Sequence, residues 1–186
     1  MDFFPISIKL DRVLIVGGGR VALSKLEKII EFTTDIKVIS KEFLDEFIEF
    51  EKRYKITLIK REYRREDLNG SFVVIVAVDD INLQRRIFYE TRDKRILVNS
   101  VDSTKYCDFI FSSFIREGDL IISISTNATA PTLAKLLKEY IKSLIPPSTK
   151  EFLAEMKTLR ATLPKGKRRI ELFRKRSIEF FNQNFK

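Results

Sequence analysis

The stretch Arg12-Val13-Leu14-Ile15-Val16-Gly17-Gly18-Gly19-Arg20-Val21-Ala22 decides the fold. Its branched aliphatic run suits a strand buried on both faces, and it stops at three glycines. Beyond them, Val21, Ala22, Leu26, Ile29 and Ile30 recur at helical spacing. Strand, glycine turn and helix fit the G-x-G-x-x-A form of a dinucleotide fingerprint through Gly17, Gly19 and Ala22. Gly17 permits the tight turn, Gly19 lets the backbone approach a pyrophosphate, and Ala22 lets the helix pack closely on the strand. The amides of Arg20 and Val21 then face the anion from the helix N-terminus.

The same alternation continues outward. Ile36–Ile39 predicts a second strand, Phe43 to Phe50 a second amphipathic helix and Ile56–Ile59 a third strand. Ser71–Ala77 is apolar on both faces, as expected of a central parallel strand; a helix from about Ile81 to Thr91 leads into a fifth strand, Arg95–Val98. Strands alternating with helices predict a doubly wound, Rossmann-like α/β parallel sheet with right-handed crossovers. After Asp102 the rhythm changes. Phe109–Ile115 and Leu120–Ser125 flank the turn Arg116-Glu117-Gly118-Asp119 and read as an antiparallel hairpin, after which Pro131 opens a helix to about Leu144. Pro146-Pro147 stops that helix, and Ser148 or Thr149 can cap the next one, so 146–186 is a separate helical segment. The expected divisions are 1–111, 112–145 and 146–186.

Composition narrows the chemistry. The 186 residues are 44% hydrophobic, ample for a core, and the net charge of +9 suggests a polyanionic partner. That excess is local: residues 1–145 carry 24 basic and 22 acidic side chains, residues 146–186 carry 11 and 4. The absence of histidine removes imidazole catalysis, His-dependent nucleophile pairs and His-containing metal sites, leaving proton chemistry to Asp, Glu, Lys, Tyr or Cys. Cys107, the single cysteine, cannot form an intramolecular disulfide and reads as a packed thiol. No leader-like N-terminus and no apolar run of about 18 residues is present, so a soluble protein of the reducing cytoplasm with no membrane partner is expected.

The ordered motifs carry a resemblance. Phe4-Pro5-Ile6, Val16-Gly17-Gly18-Gly19-Arg20-Val21-Ala22 with Lys25, Ala77-Val78-Asp79-Asp80, Val98-Asn99-Ser100-Val101-Asp102, Cys107-Asp108-Phe109-Ile110-Phe111, Ile124-Ser125-Thr126 and Ala130-Pro131-Thr132-Leu133-Ala134 follow one another with fitting spacing. Over roughly residues 3–145 the chain is similar to the precorrin-2 dehydrogenases, which also form the N-terminal part of siroheme synthases. The resemblance implies NAD-dependent oxidation of precorrin-2 to sirohydrochlorin by a homodimer whose interface is built by the segment after the nucleotide-binding domain. A helical C-terminal part follows. Some relatives also insert ferrous iron.

The resemblance places the critical carboxylate on Asp102 and NAD contacts on Arg20, Val21, Lys41 and Glu42; the fingerprint adds Gly17 and Gly19, the cofactor is expected to pass over the backbone of Asp79, and Asn99 and Ser125 are the candidate substrate contacts. No metal-ligating set is expected. A carboxylate beyond the fifth strand, at the edge where doubly wound sheets bind ligands, is also the economical proton acceptor in a chain without histidine. The local alternatives are a turn aspartate at Asp102 or Asp108, a helix cap and first-turn acid at Asp79 and Asp80, and a hairpin-end hydroxyl at Ser125. Two departures stand out. No acid directly follows the second strand's apolar run to hold a ribose hydroxyl. Either backbone groups of Lys41 and Glu42 hold the adenosine or Glu42 serves late; Lys41 also suits a 2′-phosphate, with NAD preferred. The family usually has glycines where Asn127 and Ala128 stand, so either this loop differs or the glycines served packing. The rival readings are an NAD-sensing dimer, a dehydrogenase that also chelates iron, and a nucleic-acid-binding tail. The last is disfavoured because Ile170, Phe173, Ile178 and Phe181 fall near helical spacing, making the tail cations the wet face of a packed helix.

Overall fold

Val13–Val16 (β1) is buried along its whole length, and so is Val73–Val76 (β4) beside it. Both lie in a five-stranded, fully parallel sheet completed by Ile36–Ser40 (β2), Thr57–Lys60 (β3) and Leu97–Ser100 (β5), in the order β3-β2-β1-β4-β5. The computed structural model describes residues 3, 6–101 and 103–185. Central strands covered on two faces explain the unbroken aliphatic runs, since each such side chain contributes roughly 1.5–3 kcal/mol when removed from water.

The helix Arg20–Ile29 (α1) buries Ala22, Leu23, Leu26 and Ile29 on one stripe. Asp45–Tyr54 (α2) carries acids in its first turn and bases in its last, matched to the helix dipole, and ends at Lys55 with φ +56°. Ile81–Glu90 (α3) starts at Asp80, whose carboxylate accepts from the amides of Asn82 and Leu83. Asp80 is therefore the cap, Asp79 precedes it, and the first turn carries no acid.

Two boundaries differ from the sequence reading for a physical reason. Arg95 adopts φ +53°, so β5 begins at Leu97 and runs to Ser100, taking Asn99 and Ser100 into the sheet. Residues 107–109 do not start the hairpin but return along β5; the hairpin strands are Ser113–Glu117 (β6) and Leu120–Ile124 (β7).

The chain divides into two compact units, Met1–Ile110 and Phe111–Lys186. In the second, the hairpin is followed by the helices Pro131–Ser143 (α4), Thr149–Thr162 (α5) and Lys167–Asn184 (α6). Lys157 on α5 pairs with Asp119 in the hairpin turn at 2.9 Å. On α5 and α6, Phe152 stacks on Phe180 with centroids 4.1 Å apart, Arg176 pairs with Glu155, and Arg160 lies over Phe173. This contact face overturns part of the expected packing. Phe173 faces α5, whereas Ile170, Ile178 and Phe181 lie on the exposed side. Ser148 occupies the cap position of α5, but its hydroxyl donates to Asn184 and makes no cap bond. Among the described residues no helix is long and apolar enough to cross a membrane.

Candidate functional site

The direction of strand addition reverses between β1 and β4, and ligands of open α/β sheets bind outside the carboxyl ends of strands at such a switch point. Gly17 lies there at φ +128°, and a Cβ on it would stand 2.2 Å from the Ala77 carbonyl oxygen. Gly17 and Ala77 also extend the sheet, their amides donating to Ile39 and Val16 carbonyls at 2.8 Å. Gly19 is the opposite case. It is the α1 cap, exposed, and a Cβ on it would meet nothing within 4 Å. Among the described residues no side chain caps α1 and no acid lies in its first turn, which holds the amides of Arg20 and Val21. Arg20 and Val21 are both exposed. An open glycine before uncapped amides fits a dinucleotide pyrophosphate.

Gly18, the variable position of the fingerprint, is the tightest of the three. A Cβ there would lie 2.1 Å from the Glu42 carbonyl oxygen and 2.8 Å from Ser40 Oγ, and the Leu44 amide donates to the Gly18 carbonyl. The loop after β2 is thus locked onto the glycine turn, which brings the backbone of Glu42 beside it. Lys41 reaches away to Glu62, Nζ to Oε1 2.7 Å, a bond that raises the lysine's pKa and lowers the glutamate's. The sequence signal for Gly18 was the third glycine itself. Its partner, a carbonyl 24 residues later, left no local trace.

At the ends of β4 and β5 the expected residues have different fates. Asp79 is exposed. Asn99 is buried, its amide donating to the Phe109 carbonyl at 2.9 Å while its Oδ1 has no partner among the described residues. Asp102 lies outside the described residues, as do Phe4 and Pro5. Asp108 is structural: it takes both Arg92 guanidinium nitrogens at 2.7 and 2.6 Å and the Val98 amide at 2.9 Å. Burial alone would raise its pKa, but the Arg92 bonds and the Val98 amide outweigh it and hold the carboxyl below the usual range. Arg92 was missed in the sequence because 16 residues separate it from Asp108. Cys107 is buried, as read. Ser125 belongs to the second unit, where its Oγ accepts from the Asn127 amide at 3.1 Å. Asn127 and Ala128 take φ +47° and +63°, so the loop keeps a glycine-like path without glycines.

An NAD(P)-binding family model matches residues 4–113, more than half of the chain. Siroheme synthase 1 of Cronobacter sakazakii is 36% identical over 150 residues, covering 80% of this chain and 32% of the relative. Siroheme synthase of Buchnera aphidicola is 36% identical over 148 residues, covering 78% and 31%. The chain therefore spans about a third of the length of these curated relatives. Among solved structures, "SirC, precorrin-2 dehydrogenase" superposes with a TM-score of 0.76 at 25% identity, over 93% of this chain and 88% of that one. With its 3-2-1-4-5 parallel sheet, glycine turn at the switch point and uncapped first helix, and with its likeness to the precorrin-2 dehydrogenase structure and to part of the siroheme synthases, the chain belongs to this NAD(P)-binding family.

Proposed function

We propose that the protein oxidises precorrin-2 to sirohydrochlorin with NAD as hydride acceptor. One observation carries the reading: the likeness to the precorrin-2 dehydrogenase structure runs nearly end to end in both chains, whereas the siroheme synthases are matched over a third of their length. The nicotinamide supplies the electron sink, taking one hydride per turnover. Gly19 and the amides of Arg20 and Val21 hold the pyrophosphate, and the backbone at Lys41 and Glu42 together with Asp79 borders the rest of the dinucleotide. Asp102 accepts the proton that leaves the macrocycle with the hydride, so one precorrin-2 and one NAD give one sirohydrochlorin, one NADH and one proton. Asn99 and Ser125 serve the substrate side. The protein works as a homodimer. Support comes from α4 and its C-terminal cap, where Leu133, Leu136, Leu137, Tyr140 and the cap residue Leu144 form one exposed apolar stripe of the kind association covers.

Anaerobic incubation of the protein with precorrin-2 and NAD tests the reading through sirohydrochlorin absorbance and NADH formation. Absence of both from folded protein that binds NAD would leave the NAD-sensing dimer in its place. The name of the 36% identical relatives favours a second step, insertion of ferrous iron to give siroheme. Adding ferrous ion to the product in the same cuvette decides between the two.

A further inference from the structure

We infer that Cys107 is a positioning residue for the proposed reaction, its thiol clamping the backbone at Ser100 and Ser103, which bracket position 102 in the sequence. The inference rests on the proposed role of Asp102. The need for a clamp comes from topology. β5 is an edge strand, and an edge strand leaves a row of backbone donors and acceptors without a neighbouring strand. Residues 107–109 fill that row. Asp108 serves Val98 twice: its amide donates to the Val98 carbonyl at 2.7 Å and its carboxylate accepts from the Val98 amide. Cys107 serves Ser100 twice by side chain alone. Its sulfur accepts from the Ser100 amide at 3.1 Å, and its S–H has the Ser100 carbonyl at 3.1 Å. The same S–H has a second acceptor at 3.1 Å, the Ser103 carbonyl. One thiol proton thus lies between the carbonyls of Ser100 and Ser103, on either side of positions 101 and 102.

The role requires the protonated form, because a thiolate would set negative charge against two carbonyl oxygens. Burial, with the negative charge of Asp108 adding to it, pushes the thiol pKa up despite the Ser100 amide and Lys25, so the proton stays on sulfur at neutral pH. This distinguishes Cys107 from an activated nucleophile or metal ligand, which needs the opposite shift. A serine can donate and accept in the same places over a shorter reach; an alanine can do neither.

The test compares Cys107→Ala, Cys107→Ser and Asp102→Asn in the full chain, reading kcat, KM for NAD and residue-level amide exchange. Loss of the clamp frees the backbone at Ser100 and Ser103 without touching the glycine turn, and displacements of about 1 Å near a reacting group cost up to ~100-fold in rate. Cys107→Ala is therefore expected to lower kcat about 10- to 100-fold with KM for NAD within twofold, and Cys107→Ser to recover a substantial part. Amide exchange should quicken at Ser100, whose N–H donates to the sulfur, and not over the rest of the sheet. Unchanged kcat in Cys107→Ala, beside an inactive Asp102→Asn, would overturn the proposal, as would exchange that quickens over the whole sheet. If Asp102→Asn keeps full activity, the catalytic reading of Asp102 fails by itself. The clamp is then judged on exchange alone: quickening confined to Ser100 sustains it, and no change refutes it.

Discussion

Replacing Gly19 and Gly17 by alanine, one at a time, separates what the glycine turn does for the fold from what it does for the cofactor. At Gly19 the new Cβ enters open space and φ is already negative, at −90°. Alanine is a poorer N-cap than glycine by about 0.5–1 kcal/mol, and the lower entropy of the unfolded chain returns about 0.4–1 kcal/mol. The two nearly cancel, so Tm should move by no more than about 2 °C. Binding should not be spared. A methyl group where the pyrophosphate approaches disrupts at least one amide bond to a charged oxygen, about 1.5–3 kcal/mol, which raises Kd for NAD roughly 10- to 100-fold. At Gly17 the order is reversed. The Cβ would stand 2.2 Å from the Ala77 carbonyl oxygen at φ +128°. Backbone strain of about 1–3 kcal/mol and overpacking of a similar size give a loss of roughly 2–6 kcal/mol, or about 5–20 °C for a chain of this length. Thermal unfolding and NAD titration of both variants provide the assay. Wild-type NAD affinity in a folded Gly19→Ala protein would refute the placement of the pyrophosphate.

Further consequences concern stability and substrate capture. Ala128→Gly relieves a left-handed alanine worth about 1–2 kcal/mol and gives back part of it to chain entropy, so a net gain of about 0.5–1 kcal/mol is expected in chemical denaturation. Asp108→Asn weakens charge-assisted bonds to Arg92 and Val98 and should cost about 1.5–3 kcal/mol. Because the folded pKa of Asp108 lies below its unfolded value near 3.9, this contribution is complete above that value and fades as pH falls through the folded one. Urea midpoints of wild type and variant should therefore differ steadily from pH 5 to 7 and converge below about pH 4. Replacing Lys165, Lys167 and Arg168 with glutamine should raise KM for the polycarboxylate substrate and flatten its salt dependence, with kcat unchanged. Equal KM at low salt would show that these tail cations do not attract the anionic substrate.

The strand-turn-helix at 12–22 was legible because each signal is local: an aliphatic run, glycines, then apolar residues at helical spacing. Alternation carried the reading to the doubly wound parallel sheet, while its strand order and switch point came from the structure. What escaped depends on partners distant in sequence. The left-handed turn at Arg95, which lets β5 reach Ser100, has no glycine or asparagine to announce it. The crowding at Gly18 exists only because the Glu42 carbonyl meets it, and the role of Asp108 only because Arg92 does. On α6, periodicity showed that an apolar stripe exists but not which face α5 covers; the stacking of Phe152 on Phe180 selects the neighbouring face. Chemistry at Asp102 was reached by resemblance and by the absence of histidine, and its assignment stands on function.

The most direct measurement is the stoichiometry of a single anaerobic turnover with precorrin-2, NAD and no added metal. The account predicts one NADH for each sirohydrochlorin formed, from wild-type protein and not from Asp102→Asn. Sirohydrochlorin appearing without NADH, or NAD bound with no oxidation of precorrin-2, would contradict it.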